Sequence, residues 1–287
     1  MRRSVRSSNL LPLLVFIQAH LDEDLSLEVL AERSGSSASH FHAVFKAIVG
    51  ETPKRHVERL RLERAAFRLL VQEATILEIA LDCGFANHET FTRAFRRRFE
   101  VTPDAYRKGR RSELLAERVG RDAVVEERPY ALSRTTVRRL KPAHLAFIRH
   151  VGPYEEVSDS LYDRLEGWAR RRGEVGPRVW MGIGHDAPGQ TAAEELRFDA
   201  ALVVGEAFEG DGEVGYQWFE GGDFAVTTHA GPFGTLPAAY GEIFPRVVSL
   251  PRHELIGLPA VELYRASRVR ADLELNVTEI CLPVRPR

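Results

Sequence analysis

The stretch Ser34–Pro53, SGSSASHFHAVFKAIVGETP, constrains the chain most, because its pattern occurs twice. A short apolar-faced segment, Ser26–Arg33, leads through Gly35 into a second segment in which Phe41, Val44, Phe45 and Ile48 recur at helical spacing. The outward face of that segment carries Ser37, Ser39, His40, His42, Ala43 and Lys46, all small, hydrogen-bonding or cationic. The second copy aligns Thr75–Asp82 with Ser26–Arg33, Gly84 with Gly35, Phe91 with Phe41, Phe95 with Phe45, and Thr102-Pro103 with Thr52-Pro53. Its outward set is Asn87, His88, Glu89, Thr92, Arg93, Arg96 and Arg97. A lone helical hairpin is usually a packing unit. A duplicated one with polar outward faces predicts two helix–turn–helix heads shaped for the DNA major groove.

Charge is distributed in keeping with this. Residues 1–111 hold 19 Lys and Arg against 14 Asp and Glu, and the remainder hold 21 against 27. A basic first part and an acidic second part suit a DNA module joined to a different module. Cys83 and Cys281 are too distant in sequence to suggest a disulfide framework or a metal cluster. The basic, then apolar start is interrupted by Pro12, Gln18 and His20 and has no small-residue cleavage site, so a cytoplasmic chain without membrane spans is expected.

Residues 9–22 read as a first helix, Ser26 and Thr75 as N-caps, and Ser37–Val49 as the first recognition helix, ended by Gly50. A long helix over Pro53–Gln72 joins the heads, and its Arg55, Arg59, Arg61, Arg64 and Arg68 read either as phosphate contacts or as a solvated face. Arg93, central on the second recognition helix, is the strongest candidate for reading a base, since arginine to guanine is the commonest specific contact. Arg96, Arg97 and Arg98 suit phosphate positioning. His42 and His88 are base readers or plain exposed histidines.

The tandem pattern and the segment ALDCGFANHETFTRAFRRRFEVTPDAYR resemble the AraC/XylS family of transcription regulators over residues 9–108. Ser39 and Ala43 stand where some members of that family carry larger base-contacting side chains. The expected fold is multidomain: an all-α, homeodomain-like tandem helix–turn–helix domain over 1–108, a charged linker over 109–127, and an α+β domain over 128–287.

The last part repeats as well. His144–Tyr154, HLAFIRHVGPY, parallels Asp223–Phe233, DFAVTTHAGPF, at an offset of 79. Each copy reads as a strand, a Gly-Pro turn and a helix (Glu155–Arg172, Thr235–Val248), then two strands (Arg178–His185 with Leu196–Val204, Leu258–Ala266 with Leu275–Val284). The unit is therefore strand–helix–strand–strand, twice, with Asp199 corresponding to Glu279. The H-x-G-P-[YF] motifs and the closing TEICLPV resemble the GyrI-like effector-binding domain. That resemblance implies a pocket between the halves for amphipathic, often cationic small molecules, with stacked aromatics and a buried carboxylate.

Glu262 is the candidate carboxylate, and strand alternation puts Tyr264 on its face. It is either a pocket anion or an exposed strand residue. Trp180, Trp218, Phe147 and Tyr154 are candidate walls, or core residues. The expected function is a one-component transcription regulator whose partners are double-stranded DNA, a small-molecule effector and RNA polymerase, without cofactor, metal or catalytic residues. The alternatives are a hydrolase using Glu262 and Tyr264, and a protein-binding module.

Overall fold

A computed structural model describes residues 10–110, 129–174, 178–257, 259–264 and 276–287. The chain divides into two compact units, the first holding most of it up to Arg107 and the second most of it from Lys108 onward. The linker expected over 109–127 lies, from 111 onward, outside the described residues. No helix among the described residues is long and apolar enough to cross a membrane.

The first unit is helical. α1 (Leu11–Ala19) is shorter than expected and buries Leu13 and Ile17. α2 (Leu27–Arg33) starts on Ser26, whose side chain accepts from the Val29 amide. α3 (Ala38–Val49) and α4 (Pro53–Val71) follow. The pattern then recurs as α5 (Ile76–Asp82), with a complete Thr75–Glu78 capping box, and α6 (His88–Phe99). Both heads are pinned by the same aromatic device, one turn apart on the inner face. Phe41 and Phe45 lie 5.5 Å apart in the first, and Phe91 and Phe95 5.4 Å apart in the second. All four are fully buried. Ile48, expected on that inner face, is 43% exposed. It sits in the last turn of α3, beyond the reach of the core beneath Phe45.

The arginines of α4 meet neither sequence expectation, with Arg55 the exposed exception. Arg61 donates to the Leu21 and Glu23 carbonyls at 2.7 and 2.6 Å, Arg64 to the Gln18 carbonyl at 3.0 Å, and Arg68 to Asp82 at 3.1 Å. Arg59 pairs with Glu51 at 2.8 Å and with Glu63 at 3.3 Å. A guanidinium has five donors, which lets one side chain satisfy carbonyls left open at helix ends. The central helix is thus cross-braced to both heads by its own cations. Gly84, with φ of +82°, leaves room for this: a Cβ there would overlap the Leu21 carbonyl and come within 2.6 Å of Arg61 Nε.

The second unit is an antiparallel sheet with two helices. Its strands are β1 (Ala131–Leu132), β2 (Thr136–Leu140), β3 (Ala143–Val151), β4 (Trp180–Gly184), β5 (Arg197–Val204), β6 (Gly215–Phe219), β7 (Gly222–Gly231), β8 (His253–Leu255), β9 (Ala260–Tyr264) and β10 (Asn276–Pro286). The helices α7 (Ser160–Arg172) and α8 (Leu236–Val248) each follow a 3-10 turn, Tyr154–Glu156 and Phe233–Thr235. Residues 258, 265, 266 and 275 of the expected strands lie outside the described residues.

The strand order β7-β10-β9-β4-β5-β3 is symmetric about the β9–β4 seam. The repeat carries one strand more than expected: β2 precedes β3 as β6 precedes β7. These leading strands are exchanged, since β2 pairs with β7 and β6 with β3. Each is joined to its own half by a tight turn, so the two turns must cross. Gly221, at φ +67°, lies at that crossing, where a Cβ would overlap the Leu140 carbonyl and come within 2.8 Å of Pro142 N.

One residue records an imperfection of the duplication. Gly50 closes α3 in the left-handed region at φ +84°, and its counterpart Glu100 closes α6 at φ +63°. Glu100 is the one non-glycine with positive φ among the described residues, and a side chain costs about 1–2 kcal/mol there. Glu100→Gly is therefore expected to stabilise the helical unit by about 0.5–1 kcal/mol, after the larger unfolded-state entropy of glycine is subtracted. Chemical denaturation followed by circular dichroism checks this.

Candidate DNA-reading face and effector site

The outward faces of α3 and α6 are where the predicted DNA-contacting residues lie. On α3, Ser39, His40 and Lys46 are exposed and His42 is half-buried. On α6, His88, Glu89, Arg93 and Arg96 are exposed, and with Thr92, Arg97 and Thr102 they line one shallow hollow. Ser37 and Asn87 play a different part from the rest of the set. Each is the N-cap: the Ser37 hydroxyl accepts from the His40 amide at 3.4 Å, and the Asn87 side chain from the Thr90 amide at 2.9 Å. Their acceptor atoms are occupied in aiming the helix. Of the arginine cluster, Arg98 turns back to Glu63 at 3.3 Å and Arg97 pairs with Glu58 of α4. Arg93 and Arg96 make no such bond among the described residues.

In the second unit, strand register decides which side chains meet. Opposite residues share a face, so Glu262 lies in one row with Ile280, Gly182, Ala200 and Ile148. Tyr264 lies in the next row, opposite Trp180 and Thr278. This is the face covered by the helices. Tyr240 of α8 donates to Glu262 Oε1 at 2.9 Å, and Tyr264 to Oε2 at 2.6 Å. Tyr162 of α7 places its hydroxyl 3.4 Å from that of Tyr264. Gly182, across the seam from Glu262, makes room: a Cβ there would overlap the Tyr264 hydroxyl and lie 2.5 Å from Phe198 Cζ.

Glu262 is buried, and no basic side chain pairs with it among the described residues. Burial pushes its carboxyl above the usual range, with the Tyr264 and Tyr240 hydroxyls opposing. Burial and the Glu262 charge push Tyr240 and Tyr264 well above the usual phenol range, so both stay protonated as donors. A carboxylate held by two phenols can be neutralised by a proton or can accept a cation.

The structure sorts the other predicted walls. Trp180 is buried opposite Tyr264 and packs edge-on against Tyr162 at 5.8 Å. The Tyr154 ring packs on Phe198, and its hydroxyl donates to the Asp186 carbonyl at 2.8 Å. Phe147 is a correction: it pairs with Ala201 and so points to the opposite face, where it is fully buried as core. Trp218 is a second correction. It lies on β6, at the far end of the strand order from β9, 45% exposed and 4.8 Å from the His144 ring. Sequence reasoning missed Tyr240, Tyr162 and Phe233, the last packing edge-on against Tyr264 at 5.6 Å. Phe233 was legible as the aromatic of its H-x-G-P-[YF] motif. The two helix tyrosines carry no local signal, since any inward position of an amphipathic helix accepts an aromatic.

The opposite face holds a self-contained network. Asp199 takes both Arg149 bonds, at 2.7 and 2.8 Å, together with His185 at 2.7 Å and Gln217 at 3.1 Å. Its counterpart Glu279 pairs with Arg138 at 2.8 Å. These carboxylates already have their cations, and Arg149 holds Asp199 well below the usual carboxylate range against its burial. Glu262 differs from both in lacking one among the described residues.

A family profile described as a helix-turn-helix domain matches residues 30–109, and one described as a GyrI-like small molecule binding domain matches residues 134–285. The chain belongs to the AraC/XylS regulators that carry a C-terminal GyrI-like domain. It is similar along its length to the transcriptional regulator Rob of Salmonella typhimurium, at 28% identity over 294 residues, 95% of this chain and 96% of that one. The regulatory protein SoxS of Escherichia coli (strain K12) is 36% identical over 95 residues, which are 33% of this chain and 89% of SoxS. The solved DNA-binding domain of AdpA, in complex with a target DNA, is 28% identical with a TM-score of 0.36, covering 37% of this chain and 96% of that one. The protein is thus a DNA-binding transcription regulator with a small-molecule-binding domain.

The Glu262 pKa is raised on folding, so its stability contribution is full below the unfolded value of 4.5 and is lost as pH rises through the folded value. Glu262→Gln is therefore expected to raise the melting temperature of the ligand-free protein at pH 7–8, with the gain vanishing towards pH 4.5. Melting curves across that range check it.

Proposed function

We propose that this regulator senses an amphipathic organic cation, recognised by Glu262 on the helix-covered face of its second unit. The observation that carries the reading is a buried carboxylate held by two tyrosine hydroxyls with no basic partner among the described residues. Tyr264, Phe233, Tyr162 and Trp180 supply aromatic surface beside it. A cation there gains Coulomb attraction and about 0.5–2 kcal/mol from each well-placed ring. Tyr154 lies near enough for the Glu262 charge to raise its phenol further.

In the same reading, α3 and α6 enter the major groove of operator DNA. Arg93 reads a base, Arg96 contacts phosphate, and Ser39, His40, His42, Lys46, His88, Glu89 and Thr92 complete the faces. Ser37 and Asn87 present their helix N-termini to the backbone. Effector binding changes transcription to the extent that it favours one of two states differing in DNA or RNA polymerase contact.

Tetraphenylphosphonium, a cation with no hydrogen-bond donor, tests the charge. Glu262→Gln is expected to weaken its binding about tenfold or more by calorimetry while barely affecting neutral triphenylphosphine oxide. Equal losses for the two would remove the charge role. Because a proton competes for the carboxylate, wild-type affinity for the cation falls on acidification at a pH above the ordinary Glu range. Arg93→Ala is expected to cost about 1–3 kcal/mol of operator affinity and to relax preference at one base pair. Selection of bound sequences from a random pool measures both.

A further inference from the structure

One row of the sheet is unusual in its unmet polar atoms. His229, Thr278, Tyr264 and Trp180 face one another in register across β7, β10, β9 and β4. Three of the four bury a polar atom that has no hydrogen-bond partner among the described residues: His229 Nδ1, Thr278 Oγ1 and Trp180 Nε1. His229 and Thr278 are 0% exposed and Trp180 is 2% exposed. The fourth residue, Tyr264, gives its hydroxyl to Glu262. Leaving a polar group unmet in the interior is costly, and native chains rarely do so without use.

The chemistry of the His229 end follows from its neighbours. The Thr235 hydroxyl lies 2.7 Å from the Pro232 carbonyl, which can only accept, so the hydroxyl proton goes there. Thr235 Oγ1 must then accept from His229, 2.8 Å away, which puts the imidazole proton on Nε2. Nδ1 is left as a bare acceptor. Burial lowers the His229 pKa, which keeps the ring neutral. Beside it, the Thr278 hydroxyl has no partner among the described residues.

The other half shows that the gap is particular to this one. The residue corresponding to Thr278 is Phe198, whose ring reaches Gly182 and packs against Tyr154 at 6.0 Å. The histidine corresponding to His229, His150, bonds directly to the Pro153 carbonyl at 3.1 Å. An apolar ring fills one half where the other offers a hydroxyl and a ring nitrogen. Diagonal neighbours on adjacent strands lie roughly 7–8 Å apart. Thr278 stands in that relation to Glu262, since Glu262 pairs with Ile280.

We propose that His229 and Thr278 form a second polar subsite, which binds an N–H or O–H donor carried by the effector beside its positive charge, since Thr278 is the diagonal neighbour of Glu262 on the same face. The inference rests on the cationic-effector reading above and narrows the ligand class to cations that also donate a hydrogen bond. Trp180, at the other end of the row, offers its own N–H to an acceptor on the same molecule.

The test compares tetraphenylphosphonium with (4-hydroxyphenyl)triphenylphosphonium, which adds one hydroxyl, on the full chain by calorimetry. The hydroxylated probe is expected to bind about five- to tenfold more tightly, as one hydrogen bond contributes. Thr278→Val, of the same shape, is expected to abolish that preference, bringing the hydroxylated probe to the affinity of tetraphenylphosphonium. Thr278→Ser, which keeps the hydroxyl, is expected to retain the preference. Equal binding of the two probes to wild type, or a preference that survives Thr278→Val, overturns the subsite while leaving the Glu262 reading standing. Failure of both probes to bind wild type overturns both. Should Thr278→Val not fold, the wild-type and Thr278→Ser comparisons still decide.

Discussion

Glu262 sets the terms for the second unit. A buried carboxylate must be neutralised, hydrogen-bonded or paired. Here it is hydrogen-bonded by Tyr240 and Tyr264, and among the described residues it is not paired with a cation. The surroundings follow from that. Gly182 has to be small, because Tyr264 reaches the carboxylate through the space a side chain would take. Tyr240 has to come from α8, which fixes where the helix lies on the sheet. The sheet order places all of this beside the β9–β4 seam, where the repeated halves join. A site at such a seam can differ on its two sides, and this one does: glycine faces glutamate, and Phe198 corresponds to Thr278.

Duplication supplies the frame twice over, and divergence supplies the chemistry. In the helical unit the paired phenylalanines are the same in both copies, while the outward faces differ, with Ala43 standing where the second copy has Arg93. In the second unit the carboxylates Asp199 and Glu279 keep their arginines, although the arginines come from different strands, β3 and β2. Those pairs hold the sheet. Glu262, which has no paired cation among the described residues, has no counterpart in the other half, where Gly182 stands opposite it.

The arginines of α4 show where pattern reading stops. Their spacing is that of a solvated face, or of a phosphate-tracking one. Three of them instead reach carbonyl or carboxylate groups 14 to 46 residues away in sequence, at Leu21, Gln18 and Asp82. Nothing local encodes such contacts. Arg97 and Arg98 are similar, since their partners Glu58 and Glu63 become neighbours only when α4 packs beside α6.

The sequence by itself determined the two heads, their caps at Ser26 and Thr75, the second repeat with three strands of each half, and Glu262 with Tyr264 on one face. Each follows from short-range rules: helical period, strand alternation, cap chemistry and the glycine needed for a turn. Tertiary structure alone decided the exchange of β2 and β6, the burial of Phe147 on the wrong face, the distance of Trp218 from the site, and the arrival of Tyr240 and Tyr162. Those depend on which strand lies beside which, and on how helices settle over the sheet. The strand order is set by packing between segments far apart in the chain, and a periodicity read within one segment carries no information about its neighbours.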